Sequence, residues 1–244
     1  MVFIVIVKFF AKLKFLILPL IKFLPVLLKT GGTMFLSVGL YAMQWGWWFA
    51  LGFVLLILVH ECGHLVAARM NGLSVGAPVF IPFMGAIIAL RDAPRNAWIE
   101  AQVGIGGPLL GTIGAVACVP LFLVTRQPMF LALAYTGFFL NLFNLLPFGP
   151  LDGGRVVTAI SPWLWLVGLV LILVLMIVQF NFLLLIIFLI SLPRLFSLFR
   201  RRTTEEQRFY EVTPAQRVVM SVMYFGLIGF LVLGMAFTHI AAKS

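Results

Sequence analysis

Trp47-Trp-Phe-Ala-Leu-Gly-Phe-Val-Leu-Leu-Ile-Leu-Val-His60-Glu61-Cys62-Gly63-His64-Leu-Val-Ala-Ala-Arg69-Met70 decides the reading of this chain. The stretch is apolar around every face of a helix, which is the pattern of a buried or membrane-spanning helix. At about 1.5 Å per residue, His60 lies about 18–20 Å from the Trp47–Trp48 pair and about 13 Å from Arg69. Tyr41, Trp45, Trp47 and Trp48 read as an aromatic belt at one interface, and Arg69 marks the other. Ionisable residues at such a depth are costly and mark function. His60 and His64 are one helical turn apart on one face, the arrangement that lets two imidazoles hold one zinc ion. Glu61 is placed next to them as a general base, and Cys62 is rotated about 200° from His60, off the ligand face.

The whole composition agrees. Of 244 residues, 63% are hydrophobic and 10% charged, against roughly 45–50% apolar and ~25% charged in soluble domains. A water-soluble enzyme and a disordered chain are both excluded, and no alternating-strand barrel pattern occurs. The expected fold class is an all-α polytopic membrane protein with about six or seven transmembrane helices and a short re-entrant hairpin or extended segment. The net charge of +10 comes from 17 Lys and Arg that punctuate apolar runs. That distribution fits cytoplasmic loops facing anionic lipid, and nucleic acid is not the expected partner. Cys62 and Cys118 do not form a disulfide framework.

Three regions follow. Residues 1–33 form a basic amphipathic or first membrane segment, with Lys8, Lys12, Lys22 and Lys29 within one arc and no cleavable-signal pattern. Residues 34–160 form the catalytic membrane core. Within it, one span over 34–59 continues to Met70, Pro78, Pro82 and Gly85 break 71–90 into a hairpin or extended loop, and further spans cover 101–124 and 129–147. Residues 161–244 hold the C-terminal membrane helices: a tight two-helix hairpin over 162–192 with Gln179 and Asn181 near its middle, one long tilted helix being the alternative, then a cytoplasmic basic loop at 193–216 and a last span over about 217–238.

Two histidines leave a zinc ion short of a third protein ligand. Among seven acids, only Glu61 and Asp152 lie in apolar surroundings. Pro147 and Pro150 before Asp152, and Gly153 and Gly154 after it, are expected to unwind a helix and turn the carboxylate toward the site. Asn141, one turn before Asn144, reads as a helix–helix hydrogen bond rather than a catalytic group. Arg155 marks the cytoplasmic boundary, with substrate contact the lesser reading.

His60-Glu-Cys-Gly-His64, followed about ninety residues later by Asn144-Leu-Leu-Pro-Phe-Gly-Pro-Leu-Asp152-Gly-Gly-Arg155, resembles the site-2 protease family of intramembrane zinc metalloproteases. The resemblance covers residues 34 to 160 and includes the Gly106-Gly107-Pro108 run between the two motifs. It implies one zinc ion held by His60, His64 and Asp152, Glu61 as the catalytic base, and Asn144 holding substrate or the oxyanion. It departs from the family at Gly149, where many members carry Pro. The stretches 71–100 and 193–216 are too short for the PDZ or CBS domains of many relatives, so a minimal form is expected. The implied activity is hydrolysis of peptide bonds in or near transmembrane segments of single-span membrane proteins. The implied setting is a multi-pass protein of the lipid bilayer, in a prokaryotic plasma membrane, with its site nearer the cytoplasm. Oligomeric state and physiological substrate are not encoded legibly. Competing readings are a prenyl-processing type of HExxH protease, which needs a distant Glu ligand, and a catalytically silent helix-binding protein or metal transporter.

Overall fold

The computed structural model describes residues 32–81, 85–90, 92–179, 182–200 and 203–241. Of the basic segment expected over residues 1–33, residues 1–31 lie outside the described residues. In chain order the elements are α1 (Thr33–Trp45), α2 (Trp47–Met70), β1 (Val75–Ile81), β2 (Gly85–Leu90), α3 (Ala97–Thr125), α4 (Pro128–Asn144), α5 (Asp152–Ile160), α6 (Leu164–Val178), α7 (Phe182–Phe196), α8 (Thr204–Phe209) and α9 (Pro214–Ala241). Among the described residues, α2, α3 and α9 are long and apolar enough to cross a membrane, at 24, 29 and 28 residues. At about 1.5 Å per residue each exceeds a hydrocarbon core of about 30 Å. α4, α6 and α7 are shorter apolar helices. Large apolar side chains such as Val124, Ile177 and Leu233 stand exposed on the outside, a surface suited to lipid.

The core is built where α2, α3, α4, α5 and α9 meet, around Val54, Leu56, Ile105, Phe138, Val156, Val157, Met220 and Leu231. α2 and α3 run antiparallel and touch backbone to backbone: a Cβ on Gly63 would collide with the Gly106 carbonyl, while Gly114 faces Val59 and Leu56. Small residues permit this approach, as expected for helices packed in lipid. α4 returns along α3, with Gly137 against Ala115.

One expected span is two helices. The chain breaks at Gly46, whose φ of +80° is a conformation that side-chain-bearing residues rarely adopt. α1 therefore folds back on α2, with Tyr41 stacked on Trp45 at 5.3 Å and edge-on to Phe53 at 5.2 Å. Tyr41 is buried in that contact and does not belong to an exposed belt, whereas Trp47 and Trp48 are exposed.

The breaks at 71–90 make an antiparallel hairpin, β1 with β2, pairing Val75 with Leu90 and Ile81 with Gly85, with a register shift between Val75 and Pro78. Proline lacks the N–H that a regular ladder needs, so an irregularity there is expected. Residues 162–192 fold as the two-helix hairpin α6–α7 and not as one long helix.

The polypeptide between α4 and α5 is neither helix nor strand, and its carbonyls need donors. Tyr224 on α9 donates its hydroxyl to the Leu145 carbonyl at 2.6 Å. Just beyond the turn, Trp165 Nε1 donates to the Gly154 carbonyl of α5 at 2.9 Å and so ties α5 to the start of α6. Replacing Tyr224 by Phe leaves a buried carbonyl unserved, which costs about 1–3 kcal/mol. Thermal unfolding in detergent should show a lower midpoint for Tyr224→Phe than for wild type.

Candidate metal centre

α2 carries His60, Glu61 and His64 on a single turn, all buried, at 3%, 7% and 8% exposure. Asp152 comes from the other half of the core as the first residue of α5. The expectation of an unwound helix at this position needs one correction. α4 ends at Asn144, a turn spans Leu145–Leu151, and Asp152 opens a new helix rather than interrupting one.

The double glycine explains how the turn closes. A Cβ on Gly153 would collide with the Leu145 and Leu146 carbonyls, and one on Gly154 would sit 2.8 Å from the Phe148 carbonyl. α5 can therefore begin directly against the turn. Gly149 has φ +35°, and a Cβ there would strike Ser191 on α7. The departure from the family pattern at this position thus has a local cause, since proline fixes φ near about −65°.

The three donors converge. His60 Nε2 lies 3.1 Å and His64 Nε2 3.2 Å from the same Asp152 oxygen, Oδ2, and the two Nε2 atoms are 3.2 Å apart. On its opposite side His60 Nδ1 meets Asn141 Oδ1 at 2.7 Å, and His64 Nδ1 meets the Val103 carbonyl at 2.7 Å. Both of these partners are acceptors, so both Nδ1 atoms carry the proton and a neutral ring leaves Nε2 bare. Two bare nitrogens and a carboxylate oxygen then face one another. That set wants a cation. The spacing suits it: ligands about 2.0–2.1 Å from a tetrahedral zinc stand about 3.3 Å apart. The group His60, His64 and Asp152 can hold a zinc ion.

Close packing keeps room for the rings. A Cβ on Gly107 of α3 would collide with His64 Nε2, so the Gly106-Gly107-Pro108 run shapes the site as well as the helix contact. Arg155, one turn beyond Asp152, rests its stem near Gly104. It is half-buried. Cys62 lies outside the donor group, as its rotation on the helix requires.

Asn144 is placed differently from the other motif residues. Its amide donates to the Leu140 carbonyl of its own helix at 3.1 Å. The asparagine that reaches the donor group is Asn141, buried at 1% exposure. Its spacing from Asn144 indicates an interhelical bond. Nothing local indicates that the bond falls on His60.

Comparison with known proteins agrees with this geometry. Residues 48–129, about a third of the chain, match Peptidase family M50. The resemblance to the site-2 protease family holds. The chain is 30% identical over 147 residues to "Zinc metalloprotease MJ0392" of Methanocaldococcus jannaschii, covering 56% of this chain and 42% of the relative. It is 35% identical over 118 residues to "Putative zinc metalloprotease Rip3" of Mycobacterium tuberculosis, covering 45% of this chain and 29% of the relative. The chain thus spans less than half the length of these curated relatives. The M50 match contains the α2 histidines and stops before Asp152, which the fold alone brings to them.

Gly107→Ala should force the His64 ring from its place. We expect zinc content, measured by atomic absorption on protein purified in detergent, to fall well below that of wild type.

Proposed function

We propose that this chain is an intramembrane zinc metalloendopeptidase that hydrolyses peptide bonds in or near transmembrane segments of membrane-anchored proteins. The observation that carries the proposal is the meeting of two bare imidazole nitrogens and one carboxylate oxygen beside Glu61, within a bundle of apolar helices. When bound, zinc supplies Lewis-acid polarisation of a carbonyl and lowers the pKa of water toward ~7.

In this reading His60, His64 and Asp152 hold the ion, and Glu61 moves the protons. Its carboxylate takes one proton from the attacking water and delivers it to the amide nitrogen as the C–N bond breaks. Asn144, at the end of α4, is assigned to substrate or to the developing oxyanion. The half-buried Arg155 supplies positive charge near Glu61.

A helical substrate hides its peptide bonds and must be extended before cleavage. We assign that task to the β1–β2 hairpin, whose outer edge can pair with an unwound single-span substrate through main-chain hydrogen bonds, with little demand on sequence. The antiparallel packing of α2, α3 and α4 brings Arg69, Arg95 and Arg155 to one end of the bundle, and Arg217 binds the Ile160 carbonyl at that same end. By the positive-inside rule this end is cytoplasmic, and the donor group lies nearer to it. A prokaryotic plasma membrane is the proposed location.

Two experiments test the proposal. Wild type, Glu61→Gln and Asp152→Ala are purified in detergent, assayed for zinc, and incubated with a panel of single-span substrates. Wild type and Glu61→Gln should hold about one zinc per chain and Asp152→Ala much less, while cleavage by Glu61→Gln should fall about 10²–10⁴-fold. A folded wild type without zinc would sink the protease reading and favour a helix-binding or transport role. In the second experiment, proline substitutions along Gly85–Leu90 should lower cleavage without changing zinc content. Unchanged cleavage would remove the strand-pairing role.

A further inference from the structure

We infer that Asn141 is a positioning residue for His60: its carboxamide oxygen selects the imidazole tautomer that turns Nε2 toward Asp152. The inference rests on the metal reading above. Asn141 Oδ1 stands 2.7 Å from His60 Nδ1, and both residues are buried, at 1% and 3% exposure. The amide cannot present its nitrogen to the ring instead, because Nδ2 is already committed to the Gly137 carbonyl of its own helix at 2.7 Å. An oxygen aimed at Nδ1 accepts, so the ring donates there and keeps Nε2 free of a proton.

The neighbouring helix leaves space for this arrangement. At Gly111 of α3 a Cβ would collide with Asn141 Oδ1. Three helices therefore contribute to one bond: α2 supplies the ring, α4 the amide and α3 the gap.

The two histidines are served differently. The Nδ1 of His64 is held by the main-chain carbonyl of Val103, which no side-chain replacement removes. The Nδ1 of His60 depends on a side chain, and an apolar replacement leaves the ring free to take either tautomer or to rotate. Partners of this kind raise ligand basicity as well as fixing orientation. A bond that served only to join α2 to α4 would not need an acceptor at this point. The metal-facing role does.

The test uses the full chain in detergent with zinc and with cobalt as a spectroscopic substitute. Zinc affinity is measured by competition with a chromophoric chelator, and the visible absorption of the cobalt form reports ligand geometry. Asn141→Asp keeps an oxygen facing the ring and loses the amide donor to Gly137. Asn141→Leu removes the acceptor at similar volume. If the leucine variant does not fold, as judged by monodispersity and by unfolding in the presence of a chelator, Asn141→Ser replaces it, being too short to reach the ring.

We expect the variant without an acceptor to bind zinc about 10–100-fold more weakly and to show an altered cobalt spectrum. Asn141→Asp should stay near wild type in both. Wild-type affinity and spectrum in the variant without an acceptor would overturn the inference. Equal losses in the aspartate and acceptor-free variants would overturn it too, because the lost Gly137 bond would then account for both. A wild type that takes up no zinc would overturn the metal reading together with this one, whereas either of the other two results leaves the metal reading intact.

Discussion

His60, His64 and Asp152 present lone pairs to one another at 3.1–3.2 Å inside a buried site, with the ring protons turned away. Without a cation this arrangement is repulsive, and burial in an apolar bundle deepens the cost. A bound metal turns the same geometry into an attraction that ties α2 to α5. Ligand binding and the final packing of the core are therefore coupled, as in other proteins whose metal sites are assembled from distant segments. The glycines of the core serve this constraint. Gly63 and Gly106 bring two backbones into contact, Gly107 leaves space for a ring, and Gly153 and Gly154 let the turn fold tightly enough to deliver Asp152.

Delivering a carboxylate into an apolar bundle requires the chain to leave helical geometry, and that exposes main-chain carbonyls where no water is guaranteed. In a lipid environment each such group needs a partner from the protein. The helices after the turn provide them. Tyr224 serves Leu145 in the turn, while Trp165 holds the Gly154 carbonyl of α5 and Arg217 serves the Ile160 carbonyl at that helix's end. α6 and α7 add steric support: a Cβ on Gly168 would collide with the Pro147 carbonyl, and Ser191 lies against Gly149. The C-terminal third of the chain thus buttresses the donor group, although the donors themselves come from α2 and α5.

The M50 match ends at residue 129, before the turn and before every residue that supports it. The matched stretch contains the α2–α3 pair, where ring placement demands close backbone contact. Gly149 illustrates a local solution in the remainder. Its positive φ and the proximity of Ser191 call for glycine, so the turn takes its shape from packing against α7 and not from a proline ring.

Much of the site was legible because helix periodicity is local. Residues four apart share a face in any α-helix, so His60-x-x-x-His64 implied a two-imidazole site before any fold was known. Asp152 was legible by scarcity, since few acids lie in apolar surroundings. Pro78, Pro82 and Gly85 announced the hairpin by what they prevent. Three features were decided by the tertiary structure. The break at Gly46 depends on α1 folding back on α2 through Tyr41. The use of Tyr224 as a donor depends on α9 lying against the turn. The choice between Asn141 and Asn144 depends on how α4 is rotated about its axis, which points one amide at His60 and leaves the other bonded to its own helix. Spacing along a chain determines which side chains share a face. Only the packing of one helix on another decides what that face meets.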